Sequence, residues 1–361
     1  MIKRAKSIIF ILLCMSLAPI GNIAARENDV SHQAHSLMQA FFDAGDTPGL
    51  VVSVGRGDKI IWSEGFGYAD LEQSVPADPA KTRFRIGSVI KSMTAYATAQ
   101  LVDQGKLDLD APIQTYLPDF PEKQQPITTR QLLGHLSGIR HYEGEEFFSR
   151  EHYETVDAGL VIFKDDPLAH MPGEAYLYSS YGYNLLGAVI EAVTGQQYLA
   201  YMTANVFEPL GMAHTVPDYL AQIIPGRGRY YYKQGDTVLN APEVDNSYKW
   251  ASGGVIGTAD DLVRFGLAQT GTNGISKSMQ KMYWTVQKNN AGEETGYGLG
   301  WKVTSDENGQ TWIGHGGGSV GGTTQFWIRP DDGLVIAMIS NLSSFNYGTV
   351  LVSLGELFTP E

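Results

Sequence analysis

The chain places strand-forming sequence near both of its ends and a long helical region between them. Short segments rich in β-branched and aromatic residues, bounded by Gly, Pro and Asp turns, lie at residues 49–54, 59–63, 297–303, 311–314, 324–328 and 334–340. Between them, the pattern indicates helices and long loops. We therefore predict an α+β fold with a single domain over residues 26–361. Its α/β part, about 30–110 and 247–361, would carry a mainly helical insert at about 111–246.

The first 25 residues have the composition of a secretory signal peptide. Three basic residues precede an apolar run at residues 8–20, and small residues at 23–25 offer a cleavage site near Ala25. The apolar run is short for a membrane span, and no later segment is long enough. We expect export to the periplasm or the medium, without stable membrane insertion after cleavage. An uncleaved anchor is the alternative.

The composition argues against several classes of function. The 39 acidic and 26 basic residues give a net charge of −13, which disfavours binding to nucleic acid or to an anionic membrane surface. The single cysteine, Cys14, lies inside the predicted signal peptide, so we expect no disulfide, thiolate metal site or cysteine nucleophile in the exported protein. The eight histidines show no H-E-x-x-H or related spacing, and we expect neither a metal nor an organic cofactor.

Ser88 and Lys91 begin a helical run that extends to about Gln104. Their spacing puts a hydroxyl and an amine on one face of a helix, one turn apart. A neighbouring amine that is partly neutral can take the proton of a serine and make the serine a nucleophile. Burial and the positive end of a helix would both lower the pKa of the lysine toward that state.

Spacing alone does not distinguish a catalytic pair from a helix cap. About one such match is expected by chance in a chain of this size. A second match, Ser278–Lys281, lies in a polar run typical of an exposed helix face. A capping serine followed by a surface lysine is therefore an alternative for Ser88 and Lys91 as well.

Two other segments contain groups suited to acyl chemistry. Four tyrosines lie at residues 176–183, just before a predicted helix. Packing is the usual role of tyrosine, but a phenol beside the Lys91 ammonium would have a lowered pKa and relay protons. Residues 312–322 contain a run of glycines, which permits close backbone approach and leaves N–H groups to bind an oxyanion. A simple glycine-rich turn is the alternative.

Residues 317–321 also match the G-x-S-x-G motif of a nucleophile elbow. That motif requires a helix after the serine and a histidine later in the chain. The residues that follow, 323–329, have a strand pattern, and His315 is the last histidine. We therefore reject the elbow.

Several segments, taken in this order, resemble the serine β-lactamase-related family, which includes class C β-lactamases, esterases, D-aminopeptidases and DD-carboxypeptidases. The likeness covers nearly all of residues 35–345. Besides Ser88 to Lys91, it depends on residues 128–138, 172–174, 178–183, 252–262, 297–301 and 315–317. Residues 62–70, followed by Val75-Pro76, are most similar to the branch that contains mitochondrial serine β-lactamase-like proteins.

The resemblance implies an antiparallel sheet flanked by helices, a helical subdomain and a cleft between the two. It assigns Ser88 as the acylated nucleophile, Lys91 as its base and Tyr178 as the proton shuttle. The backbone N–H groups of Ser88 and Gly318 would form the oxyanion hole. Substrate contacts are implied for four further residues, Ser180, His315, Gly316 and Gly317.

Two positions depart from the family pattern. The second motif usually reads Tyr-x-Asn, but its third position here is Ser180, which weakens a contact to a substrate amide and argues against efficient β-lactam turnover. The third motif of true β-lactamases begins with Lys, whereas His315 should be only partly charged near neutral pH. The family's esterases and peptidases accept such a histidine, so the change favours another acyl substrate.

Together these features predict an exported serine hydrolase that forms an acyl-enzyme on short peptides, esters or peptidoglycan-derived amides. A true β-lactamase or DD-carboxypeptidase is one alternative. A non-catalytic ligand-binding or filament-forming protein with the same fold is another. The expected partner is a small-molecule or short-peptide acyl substrate, and the sequence leaves the oligomeric state open.

Overall fold

The computed structural model describes residues 20–271 and 274–360, and nine α-helices and twelve strands lie within them. The helices are α1 (Ile20–Ala44), α2 (Ile90–Asp103), α3 (Thr129–Leu133), α4 (Val156–Gly159), α5 (Ser180–Thr194), α6 (Tyr198–Met202), α7 (Ala259–Thr270), α8 (Lys277–Trp284) and α9 (Val350–Leu357). The strands are β1 (Gly49–Arg56), β2 (Lys59–Asp70), β3 (Val75–Pro76), β4 (Phe84–Arg85), β5 (Val216–Pro217), β6 (Tyr231–Gln234), β7 (Thr237–Asn240), β8 (Val255–Gly257), β9 (Lys302–Ser305), β10 (Thr311–Ser319), β11 (Gly322–Arg329) and β12 (Leu334–Ser340).

Most of the predicted signal peptide, residues 1–19, lies outside the described residues. Helix α1 begins at Ile20 and continues through the predicted cleavage site near Ala25, so cleavage and export remain predictions. None of the helices in residues 20–271 and 274–360 is both long and apolar enough to cross a membrane.

Seven strands form one antiparallel sheet that joins the two ends of the chain. Their order is β3-β2-β1-β12-β11-β10-β9, and β1 pairs with β2 on one side and with β12 on the other. The amino-terminal hairpin thus continues directly into the carboxy-terminal strands. This arrangement confirms the predicted α+β fold with an antiparallel sheet.

Both faces of this sheet are buried, because side chains alternate between two apolar layers along β1 and β12. Val52 and Val54 face one layer, which also contains Met38 of α1 and Leu354 of α9. Val51 faces the opposite layer, which contains the buried residues of α2 and α7. A strand buried on both faces has a continuous apolar sequence, which explains why the apolar run at 334–340 predicted β12.

The region between β4 and β8 holds α3 to α6, as predicted, and also a hairpin that the sequence analysis missed. Strands β6 and β7 pair across a two-residue turn in which Gly235 has φ +60°. A glycine followed by Asp236 is a recognised hairpin signal, but the flanking strands are short and partly exposed. The predicted insert boundaries at residues 111 and 246 stay a prediction.

A 3-10 turn, Gly87–Val89, precedes α2 and lies directly against β10. A Cβ atom on Gly317 would lie 2.1 Å from the Ile86 carbonyl oxygen, and one on Gly87, which has φ +52°, would lie 2.7 Å from the Gly318 carbonyl oxygen. Side chains at these two positions would separate the turn from the strand. The glycine run therefore lies inside β10, where it allows the close backbone approach that the sequence suggested. The element that follows the glycine run is strand β11 and not a helix. This agrees with the rejection of a nucleophile elbow.

The predicted strand at 297–303 is displaced in the structure, where β9 begins only at Lys302. Gly300 has φ +89°, a conformation that interrupts a strand and that side-chain-bearing residues rarely adopt. The preceding residues form a turn that packs Gly300 against Ala95 of α2.

Candidate active site

A cavity of about 1150 Å³ opens where β10, the Gly87–Val89 turn and the helical region meet. Ser88, Ser180 and Gly318 are among the residues that line it. Because α2 begins at Ile90, Lys91 lies in the first turn of that helix, next to Ser88. The fold thus brings residues from three distant parts of the chain to one surface.

The Lys91 side chain is fully buried, and its nitrogen has three polar partners. The Nζ atom lies 3.0 Å from Ser88 Oγ, 3.0 Å from Ser180 Oγ and 2.8 Å from the carbonyl oxygen of Ser252. A neutral amine has two N–H donors and one lone pair. If it donates to the Ser252 carbonyl and to the Ser180 hydroxyl, its lone pair is left to accept the Ser88 proton, so the geometry suits a base.

The surroundings of Lys91 favour this neutral form. Burial lowers its pKa well below the ordinary value of 10.5, and the positive charges of Lys249 and Lys302 lower it further. A buried amine beside other cations holds its proton weakly. The structure therefore supplies the depressed lysine pKa that the Ser–Lys pair needs.

Tyr178 completes the cluster, but its ionisation differs from the expectation. The side chain of Ser88 interacts with the Tyr178 hydroxyl, and Lys91 Nζ lies 4.9 Å from the centroid of the Tyr178 ring. Burial raises the pKa of Tyr178 above its ordinary value, and the contact with Ser88 offsets only part of that effect. The expected lowering of this pKa is wrong, because the lysine faces the ring rather than stabilising a phenolate. Tyr178 is a neutral O–H group that can donate and relay a proton.

His135 fixes the backbone on both sides of Tyr178. Its carbonyl oxygen accepts from Leu177 N–H at 2.9 Å, and its Nδ1 accepts from Ser179 N–H at 3.1 Å. The imidazole also lies against the Tyr178 ring, with 4.3 Å between centroids. Burial, followed by the Lys91 charge, lowers the pKa of His135 well below 6.5, so the ring is neutral and its Nδ1 is free to accept. Sequence reasoning quoted this residue only as part of a motif, without a role.

The backbone segments that carry the two amides proposed for the oxyanion hole are in direct contact. A Cβ on Gly317 would lie 3.3 Å from Ser88 N, and a Cβ on Gly87 would lie 2.8 Å from Gly318 N. Gly318 is exposed on the cavity surface, and a Cβ there would have nothing within 4 Å. Two N–H groups in such a position can stabilise an oxyanion on an acylated Ser88.

His315 behaves differently from the sequence-based expectation of a partly charged group. It is buried, its Nδ1–H donates to the Gly316 carbonyl oxygen, and its Nε2 lies 2.9 Å from the hydroxyl of Tyr297. Burial and the Lys91 charge lower its pKa to about 3, so the imidazole is neutral. Ser180 and Gly318 line the cavity, whereas His315, Gly316 and Gly317 are not among its lining residues. Substrate contacts by these last three residues remain a prediction.

The cavity has two walls of different composition. We call Gly318, Ser319 and Val320 the sheet wall, because they belong to β10 and the turn after it. We call the opposite set the helical wall, which consists of His141, Tyr142, Ser180, Lys249 and Ser252. The sheet wall presents mainly backbone groups, and the helical wall presents polar side chains.

Four residues of the helical wall were missed by sequence reasoning. The side chains of Ser180 and Ser252 interact with the hydroxyl of Tyr142, so three hydroxyls lie near one another where the family motif usually has an asparagine amide. His141 Nδ1 accepts from Ser180 N–H at 3.2 Å, and burial lowers its pKa to about 4. The fourth residue is Lys249. None of the four belongs to a sequence pattern that indicates a functional site, although Ser252 lies in a segment that resembles the family.

The second serine–lysine match has none of these surroundings. Ser278 and Lys281 lie on α8, and both are exposed, as the sequence analysis expected. Among residues 20–271 and 274–360, no group of three or more His, Cys, Asp or Glu side chains is arranged to hold a metal ion.

Comparison with known proteins agrees with this geometry. A sequence model of the Beta-lactamase family matches residues 34–349. Among similar curated proteins is the mitochondrial serine beta-lactamase-like protein LACTB of Homo sapiens. It is 31% identical over 435 aligned positions, which cover 90% of this chain and 79% of that protein. The family resemblance found in the sequence is confirmed.

Solved structures show the same fold. The penicillin binding protein from Bacillus halodurans superimposes with a TM-score of 0.77 at 24% identity, over 90% of this chain and 99% of that chain. The D-amino acid amidase from Ochrobactrum anthropi SV3, complexed with D-phenylalanine, gives a TM-score of 0.76 at 23% identity, over 91% and 96% of the two chains. The chain therefore belongs to the β-lactamase family of serine hydrolases and has its β-lactamase/transpeptidase fold.

Proposed function

We propose that this chain is an exported serine hydrolase that forms an acyl-enzyme on short peptides, esters or peptidoglycan-derived amides. One observation carries the proposal. The Nζ atom of Lys91 lies 3.0 Å from Ser88 Oγ, and burial lowers the pKa of Lys91. Ser88 and Gly318, whose amide could bind an oxyanion, line the same cavity. A base in contact with a hydroxyl, beside an oxyanion site, is the arrangement that acyl transfer requires.

In the acylation step, Ser88 Oγ attacks the substrate carbonyl carbon and gives its proton to Lys91 Nζ. The carbonyl oxygen becomes an oxyanion, which the N–H groups of Ser88 and Gly318 stabilise. The bond to the leaving nitrogen or oxygen then breaks. Tyr178 donates its phenolic proton to that atom and is reprotonated by the Lys91 ammonium, so the serine proton leaves with the leaving group.

Water completes the cycle by attacking the ester carbonyl of the acyl-enzyme. Lys91 again accepts the proton, and Ser88 is the leaving group that takes it back. The raised pKa of Tyr178 fits this scheme, because only the protonated phenol can donate a proton to the leaving group. His135 would act as a positioning residue for Tyr178.

Two residues, His315 and Ser180, favour a substrate other than a β-lactam. A neutral, buried His315 offers no cation to the carboxylate that β-lactams carry, and a hydroxyl at position 180 replaces an amide. Efficient β-lactamase activity is therefore the less favoured alternative. The amino-terminal signal sequence supports a location outside the cytoplasm, where peptidoglycan fragments are available.

A labelling experiment tests the proposed chemistry. Intact mass would be measured after exposure to a fluorophosphonate and then to a panel of esters, D-amino-acid amides and β-lactams. We expect a covalent adduct on the wild type and on Ser278→Ala, and none on Ser88→Ala. The compound whose adduct forms and then disappears identifies the substrate class.

Two outcomes would contradict the proposal. If no reagent labels Ser88, a non-catalytic binding protein with the same fold explains the chain better. If nitrocefin and penicillin form adducts that turn over faster than any ester or amide adduct, the protein is a β-lactamase or DD-carboxypeptidase instead. Detection of the protein in the cytoplasm of its own cells with an uncleaved terminus would contradict export.

A further inference from the structure

The mechanism above uses none of the charged residues that line the cavity, and Lys249 differs from the other two in its surroundings. The charged lining residues are Asp46, Lys233 and Lys249. The first two form an ion pair, with 2.5 Å between Lys233 Nζ and Asp46 Oδ2. Within residues 20–271 and 274–360, the Lys249 ammonium has neither a hydrogen bond nor an ion pair. An almost fully buried cation without a carboxylate is costly and therefore needs an explanation.

Aromatic rings make this buried charge tolerable. Lys249 is only 2% exposed, and its Nζ lies 4.4 Å from the Phe147 ring centroid, 5.1 Å from that of Tyr248 and 5.6 Å from that of Tyr142. Ring faces attract a cation but leave its hydrogen-bond donors unused. The ammonium thus retains donors for a ligand that enters the cavity.

Asp218 is the acidic side chain that acts on Lys249. It does not neutralise Lys249, because other groups already bind the Asp218 carboxylate. Asp218 is the carboxylate that raises the pKa of Lys249, but Arg85 donates to it at 2.7 Å and Asn246 at 2.8 Å. Arg227 lies 3.6 Å from its other oxygen. The positive charge of Arg85 also opposes that of Lys249. The local charge around Lys249 therefore stays positive.

The backbone connects Lys249 directly to the catalytic cluster. Ser252 N–H and Gly253 N–H donate to the Lys249 carbonyl oxygen at 3.0 and 2.8 Å, and the Ser252 carbonyl accepts from Lys91. A Cβ on Gly253 would lie 3.2 Å from Lys249 Cδ, so the glycine leaves room for the lysine stem. One turn of chain thus positions both the contact to the base and the unpaired cation.

We propose that Lys249 determines specificity by binding a carboxylate of the substrate at the helical wall. This inference rests on the proposed hydrolase function and narrows its substrates to acyl compounds that carry an acidic group. In true β-lactamases the corresponding charge belongs to the motif on the sheet strand, which here contains the neutral His315. The cation for an acidic substrate therefore lies on the opposite wall of the cleft.

Matched acid and amide substrates test this directly. One pair places the group in the acyl part: coumarin amides of N-acetyl-glutamate and N-acetyl-glutamine. The other places it in the leaving group: acetate esters of meta-hydroxybenzoate and meta-hydroxybenzamide. The readout is the acid-to-amide ratio of kcat/KM, which cancels any change in the chemistry common to both substrates.

We expect the wild type to prefer the acid in one of the two pairs, and Lys249→Met to lower that ratio at least about 10-fold. Lys233→Met is the matched control, since it removes a cavity lysine that already has an ion-pair partner, and its ratio should equal that of the wild type. An unchanged ratio in Lys249→Met, or a wild type without any acid preference, would overturn the inference. So would an equal loss for acid and amide, which would mean that Lys249 acts only on Lys91.

A binding measurement separates this inference from the proposed hydrolase activity. The Ser88→Ala protein would be titrated calorimetrically with N-acetyl-glycinate and with N-acetyl-glycinamide, neither of which can react. Tighter binding of the carboxylate that is lost in Ser88→Ala/Lys249→Met supports the site even if no substrate is ever turned over. Equal affinity for both probes, or no binding of either at millimolar concentration, contradicts it. Thermal unfolding of each variant shows whether it is folded.

Discussion

The two walls of the cleft differ in which part of the chain performs the chemistry. The sheet wall offers backbone N–H groups, held in place by glycines whose missing side chains let β10 touch the turn before α2. The helical wall offers side chains, namely two hydroxyls, a phenol, a neutral imidazole and a buried ammonium. Backbone groups stabilise the oxyanion of any acyl substrate, whereas side chains distinguish one substrate from another. Substitutions should therefore impair catalysis at the first wall and selectivity at the second.

The largest effect on activity is expected at Lys91, the base of the proposed mechanism. Lys91→Met keeps the side-chain volume but removes the lone pair that accepts the Ser88 proton, so acylation should slow by about 1000-fold. Lys281→Met is the matched control, because it removes the lysine of the exposed serine–lysine pair on α8. The check is the rate of adduct formation by intact mass. Similar losses in both variants would rule out a specific role for Lys91.

The sheet wall should be sensitive to a single methyl group. Gly317→Ala would place a Cβ 2.1 Å from the Ile86 carbonyl oxygen, so the turn carrying Ser88 must shift. A displacement of this kind should slow acylation by about 100-fold. In Gly182→Ala on α5, the new Cβ would meet only contacts of 3.5 Å or longer, and acylation should stay near the wild-type rate. Equal rates for the two variants would show that the close approach is not needed.

The support for Tyr178 should have a smaller effect. His135→Leu removes the acceptor for Ser179 N–H and leaves that buried donor without a partner, which costs about 1–3 kcal/mol. We expect kcat to fall about 10-fold with little change in KM, because the phenol rather than the substrate is displaced. His135 has φ +58°, a conformation that asparagine tolerates, so His135→Asn should recover most of the rate. Failure of asparagine to do better than leucine would assign His135 to packing alone.

The smallest expected effect concerns stability and has the opposite sign. The pKa of Lys249 is lowered from 10.5 to about 7 by burial and by Arg85. Between these pH values the unfolded chain binds a proton that the folded protein lacks, so the stability of the wild type rises with pH across that window. Lys249→Met escapes the cost of burying the charge. It should be more stable by about 1–2 kcal/mol below pH 7, since the three rings offset part of the cost.

Unfolding by denaturant at pH 6 and at pH 9 would check this difference. The advantage of the methionine variant should shrink at the higher pH, where Lys249 is neutral in the folded protein. The other charged or titratable groups near Lys249 are Arg85, Asp218, Lys91, His141, Tyr142 and Tyr248. If the stability advantage of Lys249→Met grew with pH, a partner in the folded protein would be stabilising the protonated form of Lys249.

Local patterns predicted those parts of the molecule that depend on neighbours in sequence. The spacing of Ser88 and Lys91 is a property of one helical turn, and the apolar run of β12 matches the strand to the residue. Thr128 caps α3 and Thr258 caps α7, and threonine is a residue type favoured at that position. Tyr178 could be singled out among four tyrosines only through family resemblance, because nothing local distinguishes it.

Properties that arise from tertiary burial could not be predicted in this way. The neutrality of His315 depends on burial by other segments and on the charge of Lys91. The direction of the Tyr178 pKa shift is set by burial, which the sequence does not reveal. Lys249 gains its surroundings from Phe147 and Tyr142, about 100 residues earlier, in a loop region whose path no periodicity determines.

The pairing of β1 with β12 has a consequence for how the chain matures. Leu50 lies opposite Ser340, so the centre of the sheet closes only after residue 340 has been synthesised. Contacts of such long sequence separation form slowly, and until then the hairpin of β1 and β2 presents an open edge. The sheet of a nascent chain therefore stays incomplete at its centre until β12 has emerged.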